Sequence, residues 1–170
     1  YYTVRNNSSI IAFKVGAKLD AYRFQLTASH SDSPTYKVKA APELSGSAGY
    51  LRLNVEAYGG VMDHTWFDRP LSVAGRVLVR SGNRVESRLI APDADLLIVP
   101  RVPIHLDREA NSRFSPNRAV DLCPVMSAGA LQPGSFDRLV AQEAGVAPGQ
   151  VLARDLFLVN RQQPSVWGWG

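Results

Sequence analysis

Cysteine is almost missing from this sequence. The single thiol, Cys123, excludes an intrachain disulfide and a cysteine-built zinc site. Its apolar setting, Val120-Asp121-Leu122-Cys123-Pro124-Val125, predicts a packed thiol, with no histidine-paired nucleophile in view. Long apolar runs are missing too: none approaches the ~20 residues a bilayer-spanning helix needs. No stretch reads as a secretory signal, so the expected location is the reducing cytoplasm, with no membrane partner. Basic clusters are equally scarce. The formal charge is +4, from 19 Lys and Arg against 15 Asp and Glu, yet no basic run reaches four residues. A nucleic-acid footprint needs a clustered stripe, so nucleic acid is not an expected partner. Repeats and low-complexity tracts are absent.

What remains is globular. Hydrophobic residues make up 45% and charged residues 20% of the chain, values that exclude disorder. Its 170 residues allow one ordinary domain or parts of two. The chain begins at Tyr1-Tyr2 and stops at Trp167-Gly168-Trp169-Gly170; both ends read as cuts through something longer.

Hydrophobic periodicity gives mostly strands. Strands are expected over 9–15, 22–28, 35–39, 51–57, 76–80, 84–90, 96–99, 119–125 and 151–159. Residues 42–49 and the dense polar-aromatic stretch 63–70 read as loops, and Ser81-Gly82-Asn83 as a hairpin turn. One helix stands out at Ser135–Gly145, with Ser135 as N-cap and Gly145 and Pro148 as stop signals.

Three histidines carry the candidate chemistry. His30 and Asp32, in Ala28-Ser29-His30-Ser31-Asp32-Ser33-Pro34, fall two residues apart at the expected carboxyl end of a strand. On extended chain they share a face, and a carboxylate beside an imidazole can fix the ring for metal binding. Alone, such a pair is more often a surface hydrogen bond than a ligand. His64 has no second histidine or cysteine at a chelating spacing and reads as a capping or surface residue. Asp68 and Arg69 are expected to pair locally within their loop. His105, between Ile104 and Leu106, reads as a half-buried, satisfied histidine.

Taken in order, Tyr2 to Gly16, His30-Ser31-Asp32-Ser33-Pro34, Tyr58-Gly59-Gly60, Thr65-Trp66-Phe67-Asp68-Arg69-Pro70-Leu71, Ala74-Gly75-Arg76-Val77, and Ile104-His105-Leu106 with Asn111 form a series. This series resembles the aspartyl aminopeptidases and the related aminopeptidase I group, zinc metallo-aminopeptidases. The likeness runs over essentially the whole chain. It implies an α/β fold: part of a zinc-exopeptidase catalytic domain, followed by a β-rich dimerisation insertion with one clear helix. Residues 1–50 would belong to the catalytic domain, 51–155 to the insertion, and 156–170 to the return toward the catalytic domain.

The resemblance also implies roles. His30 would ligate one of two zinc ions, and Asp32 would orient its imidazole. His105 would reach from the insertion into a neighbouring subunit's active site and help hold substrate or the transition state. The two metals would polarise the scissile carbonyl of a peptide and activate a water, a glutamate taking the proton. Expected partners are the peptide substrate, a complementary C-terminal half holding the other ligands, and further copies in a dimer-based homo-oligomer of up to twelve subunits. The family pattern puts His-Thr-Asp where this sequence has His-Ser-Asp, and its remaining metal ligands have no counterpart here. The chain alone is therefore expected to be inactive. A non-catalytic oligomerisation module is the alternative reading.

Overall fold

The computed structural model describes residues 1–21 and 23–169. The chain forms two compact units, Tyr1–Ser33 and Pro34–Gly170.

In the first unit, strands β1 (Tyr2–Arg5) and β2 (Ser9–Ala12) make an antiparallel hairpin. Asn6 and Asn7 turn it with φ of 52° and 54°, a left-handed conformation that asparagine tolerates. The Ser8 N–H closes the turn on the Arg5 carbonyl at 3.1 Å. Tyr1 and Phe13 stack beyond the strand ends, ring centroids 5.3 Å apart. Beyond Ala12 the described residues of this unit carry no further strand. The strand expected over 9–15 is thus shorter. Of the strand expected over 22–28, Tyr22 lies outside the described residues and 23–28 are irregular. Alternation supplies a face, but a strand also needs a neighbour to take its backbone hydrogen bonds.

The second unit is built on a six-stranded sheet. Its strands are β3 (Thr35–Ser45), β4 (Tyr50–Tyr58), β5 (Leu71–Ser81), β6 (Arg84–Ile90), β7 (Val125–Ala128) and β8 (Val151–Asn160), with helix α1 (Ser135–Glu143) between β7 and β8. The spatial order is β6-β5-β8-β3-β4-β7, and every pairing is antiparallel. Alternate residues supply the core, as the two-residue period requires: Leu51, Leu53 and Val55 of β4, Val77 and Val79 of β5, Leu156 and Leu158 of β8. Phe136 and Val140 of α1 pack into the same cluster. Among the described residues no helix is long and apolar enough to cross a membrane.

β4, β6 and β8 fall where alternation put them, and β5 and β6 turn through Gly82-Asn83, between the paired Ser81 and Arg84. β3 runs past its expected end because a register shift between Val38 and Glu43 accommodates Pro42, which cannot donate to a ladder. Residues 97–99 make only isolated bridges, and 118–123 are turns, with β7 starting at Val125. Helix α1 starts one residue off its expected cap: Gly134 occupies the N-cap and Ser135 is the first helical residue. The capping oxygens come from a strand. Glu43 of β3 accepts from the Gly134 and Phe136 N–H groups at 2.6 and 2.7 Å.

Candidate functional site

His30 and Asp32 meet in the first unit, His30 Nδ1 lying 2.5 Å from Asp32 Oδ1. The side chains are 82% and 54% exposed, so the pair is open to whatever packs there. It sits on irregular chain rather than at a strand end; the Ser31 hydroxyl ties this segment to the Ser8 carbonyl of the hairpin turn at 3.4 Å. When the carboxylate accepts from Nδ1–H, the lone pair of the neutral imidazole is on Nε2, the nitrogen that can donate to a metal. A catalytic zinc takes about three protein ligands. Among the described residues no cluster of three or more His, Cys, Asp or Glu could hold an ion. The pair therefore stands, among the described residues, as one carboxylate-bonded histidine without a metal-holding cluster around it.

His105 belongs to the second unit. It sits in the turn closed by the Leu106 N–H on the Pro103 carbonyl, 2.9 Å, and it is exposed, not half-buried. Its apolar neighbours are exposed with it: Val102 at 52%, Ile104 at 45% and Leu106 at 77%. No neighbouring element covers the turn enough to bury them. His64 is also exposed, on a single 3₁₀ turn, with Phe114 edge-on at 6.3 Å, as a surface residue would be.

Residues 63–70 form the loop that alternation left without a period, and each side chain there has a defined place. Trp66 meets the buried Tyr36 ring edge-on, centroids 5.3 Å apart. The Tyr36 hydroxyl donates to Asp63, which also accepts from Arg118 Nε at 3.0 Å. Burial first, and then the bond to the Asp63 carboxylate, push the Tyr36 phenol well above its ordinary range. Phe67 and Phe114 pack at 5.6 Å, and the Arg101 guanidinium lies 5.3 Å from each ring centre. Asp68, at φ 54°, accepts from the Arg101 N–H at 2.9 Å. Arg69 donates to Gln162 at 3.1 Å. The partners of Asp68 and Arg69 are thus 33 and 93 positions away, not local. Beside these groups lies an open cleft of about 500 Å³, lined in part by Phe67, Arg101, Arg113, Phe114, Asp107 and Glu109.

Sequence reasoning missed Asp63, Arg101 and Arg118. The one available signal was the density of aromatic and charged residues over 63–70 without periodicity, which marks an ordered loop but names no distant partner.

The first unit thus carries a histidine hydrogen-bonded to a carboxylate, and the second is β-rich. Comparison with known proteins supplies the class. Residues 1–170 match the family described as aminopeptidase I zinc metalloprotease (M18), and the chain belongs to that family. Among curated relatives, a probable M18 family aminopeptidase 2 of Clostridium acetobutylicum is 36% identical over 177 residues, covering 99% of this chain and 40% of that protein. Its counterpart in Ectopseudomonas mendocina is 38% identical over 174 residues, with the same coverage. The chain thus spans 40% of the length of these relatives. Of solved structures, one from the complex of Ape4 and Nbr1 aligns with a TM-score of 0.87 at 35% identity, over 99% of this chain and 36% of that one. The mApe1 structure from Chaetomium thermophilum aligns with a TM-score of 0.69 at 26% identity, over 82% of this chain and 34% of that one.

Proposed function

We propose that the whole protein is a zinc-dependent aminopeptidase that removes N-terminal, acidic residues from peptides in the cytoplasm, and that this chain is inactive without the remainder. The observation that carries the reading is the His30–Asp32 pair. It lies within a family match running from residue 1 to residue 170, and its carboxylate leaves the imidazole Nε2 free to bind metal. His30 is the proposed zinc ligand and Asp32 the carboxylate that orients it. The other ligands of a two-zinc site would come from the complementary part of the protein. When bound, zinc supplies Lewis-acid polarisation of a carbonyl; the contribution of this chain is to hold the imidazole in one tautomer and direction.

His105 is the proposed cross-subunit residue. Support comes from its turn, where Val102, Ile104 and Leu106 are exposed around it. Apolar groups rimmed by charge suit contact with another protein surface, here a second copy of the subunit in a dimer-based homo-oligomer. We assign residues 1–33 to the catalytic domain and the sheet of the second unit to the dimerisation insertion. A boundary at 50/51 would divide β3 from β4, which pair from Thr35↔Tyr58 to Ser45↔Leu51. A boundary at 155/156 would cut β8, which pairs with β5 from Leu71↔Asn160 to Val79↔Val151. Ladders of this length hold their strands in one body.

The test is the complete protein with His30→Ala. Loss of both activity and about one zinc per subunit is expected; full activity with unchanged zinc would overturn the ligand assignment. A complete wild-type protein with neither zinc nor peptidase activity would leave only the assembly role.

A further inference from the structure

The segment that carries His105 is long and irregular. From Pro100 to Asp121 the chain has no helix or strand, well beyond the ~12–15 residues at which an unstructured connection becomes uncommon in a compact domain. Such a segment cannot aim a side chain by itself, since each unfixed residue costs backbone entropy when ordered. Yet the 63–68 loop fastens it on each side of His105, and Arg52 of β4 adds a bond to the Val120 carbonyl at 3.1 Å near its end.

On the amino-terminal side, Asp68 Oδ1 accepts from the Arg101 N–H at 2.9 Å, and the Asp68 N–H donates to the Val99 carbonyl at 2.9 Å. Asp68 reaches both from a left-handed backbone, φ 54°, a conformation that aspartate adopts more readily than most residues. The Arg101 side chain then lies against Phe67 and Phe114, 5.3 Å from each ring. On the carboxyl-terminal side, Arg118 Nε lies 3.0 and 3.2 Å from the two Asp63 oxygens. Asp63 is itself only 16% exposed and bonded to the buried Tyr36 of β3. The sheet thus holds Asp63, Asp63 holds Arg118, and Phe114 packs edge-on against Phe67 and His64 of the same loop.

We propose that Asp68 and Arg118 are positioning residues for His105: two clamps, from Asp68 to the Arg101 backbone and from Asp63 to the Arg118 side chain, fix the 100–121 segment so that its turn enters the neighbouring active site in one orientation. This inference rests on the cross-subunit reading of His105. It also explains why the 63–70 loop is dense in aromatic and charged groups, although none of them need touch substrate. A charge-assisted bond to a partly buried carboxylate is directional, and misplacement of a catalytic group by about 1 Å can cost on the order of 100-fold in rate.

The experiment uses the complete protein carrying Arg118→Ala, Arg118→Lys, Asp68→Gly, His105→Ala, or Arg118→Ala with His105→Ala. Asp68 and Arg118 are exposed, and glycine adopts the left-handed backbone of position 68 without strain, so the fold should survive. Arg118→Ala and Asp68→Gly are expected to lower kcat about tenfold or more, with KM, zinc content and unfolding temperature near wild type. Amide exchange should quicken within 100–121 and nowhere else, and Arg118→Lys should recover part of the rate. In the His105→Ala background, Arg118→Ala should cost nothing further, because the clamp acts through that histidine. Wild-type kcat in both Arg118→Ala and Asp68→Gly while His105→Ala is impaired would overturn the clamps and leave the His105 role standing. An additive loss in the double variant would also overturn them. Wild-type kcat in His105→Ala would instead refute the role of His105, and the clamps with it.

Discussion

Gly75 occupies a point where β5 and β8 touch backbone to backbone. A Cβ added there would lie 2.2 Å from the Asp155 carbonyl oxygen, at φ 151°, so an alanine meets both a clash and a conformation that L-residues rarely adopt. Asp155 cannot give way cheaply, since its neighbours Leu156 and Leu158 are buried in the core. Gly75→Ala should cost about 3 kcal/mol of stability, read as a lowered urea midpoint with unchanged slope. A change below about 0.5 kcal/mol, the level of an ordinary surface substitution, would mean that the strands part easily here. At this scale the sequence was legible wherever partners are close in number. His30 and Asp32 were paired from a spacing of two, and they do meet. Asp63 and Arg118, 55 positions apart, carried no such sign. His105 was read as half-buried from its apolar flanks, but those flanks are themselves exposed; apolar neighbours say what a residue keeps company with, not whether anything covers it.

Helix α1 depends on a residue that lies far from it in sequence. Its first turn holds N–H groups without intrahelical partners, and Glu43 satisfies two of them from the β3 side of the bulge. The carboxylate also places negative charge at the positive end of the helix dipole. Glu43→Ala should therefore destabilise the second unit by about 1–2 kcal/mol, and Glu43→Gln by less, because one oxygen can still accept. Thermal unfolding of the pair orders them; equal stability of Glu43→Ala and wild type would show that water caps the helix as well. Elements were legible where a local pattern suffices: β4, β6, the Gly82-Asn83 turn, β8, and the stop of α1 at Gly145, whose φ of 65° is the usual left-handed exit. Of the strands expected over 22–28 and 119–125, the described residues 23–28 and 119–124 form none, because alternation alone does not supply a pairing partner. The N-cap was misplaced because its acceptor belongs to another strand.

At the scale of the molecule, this M18 family chain carries one proposed metal ligand on its first unit and one proposed cross-subunit histidine on its second. The first is an imidazole bonded to a carboxylate; the second lies in an exposed apolar turn. Family membership was legible because the motif series runs in order through both units. The division into Tyr1–Ser33 and Pro34–Gly170 left no local sign in the sequence, because it follows from strand pairing between β3 and β8 and between β5 and β8, which are distant in number. The two histidines give the most direct test of the whole reading. Complete His30→Ala and His105→Ala proteins, each inactive or impaired, are dissociated, mixed in equal amounts and reassembled. In a mixed dimer, the His105→Ala subunit keeps its metal ligand and receives an intact His105 from its neighbour. Random pairing should then restore about a quarter of wild-type activity, half the dimers being mixed with one intact site each. Activity no higher than the mean of the two variants alone would contradict a histidine that works across the subunit boundary.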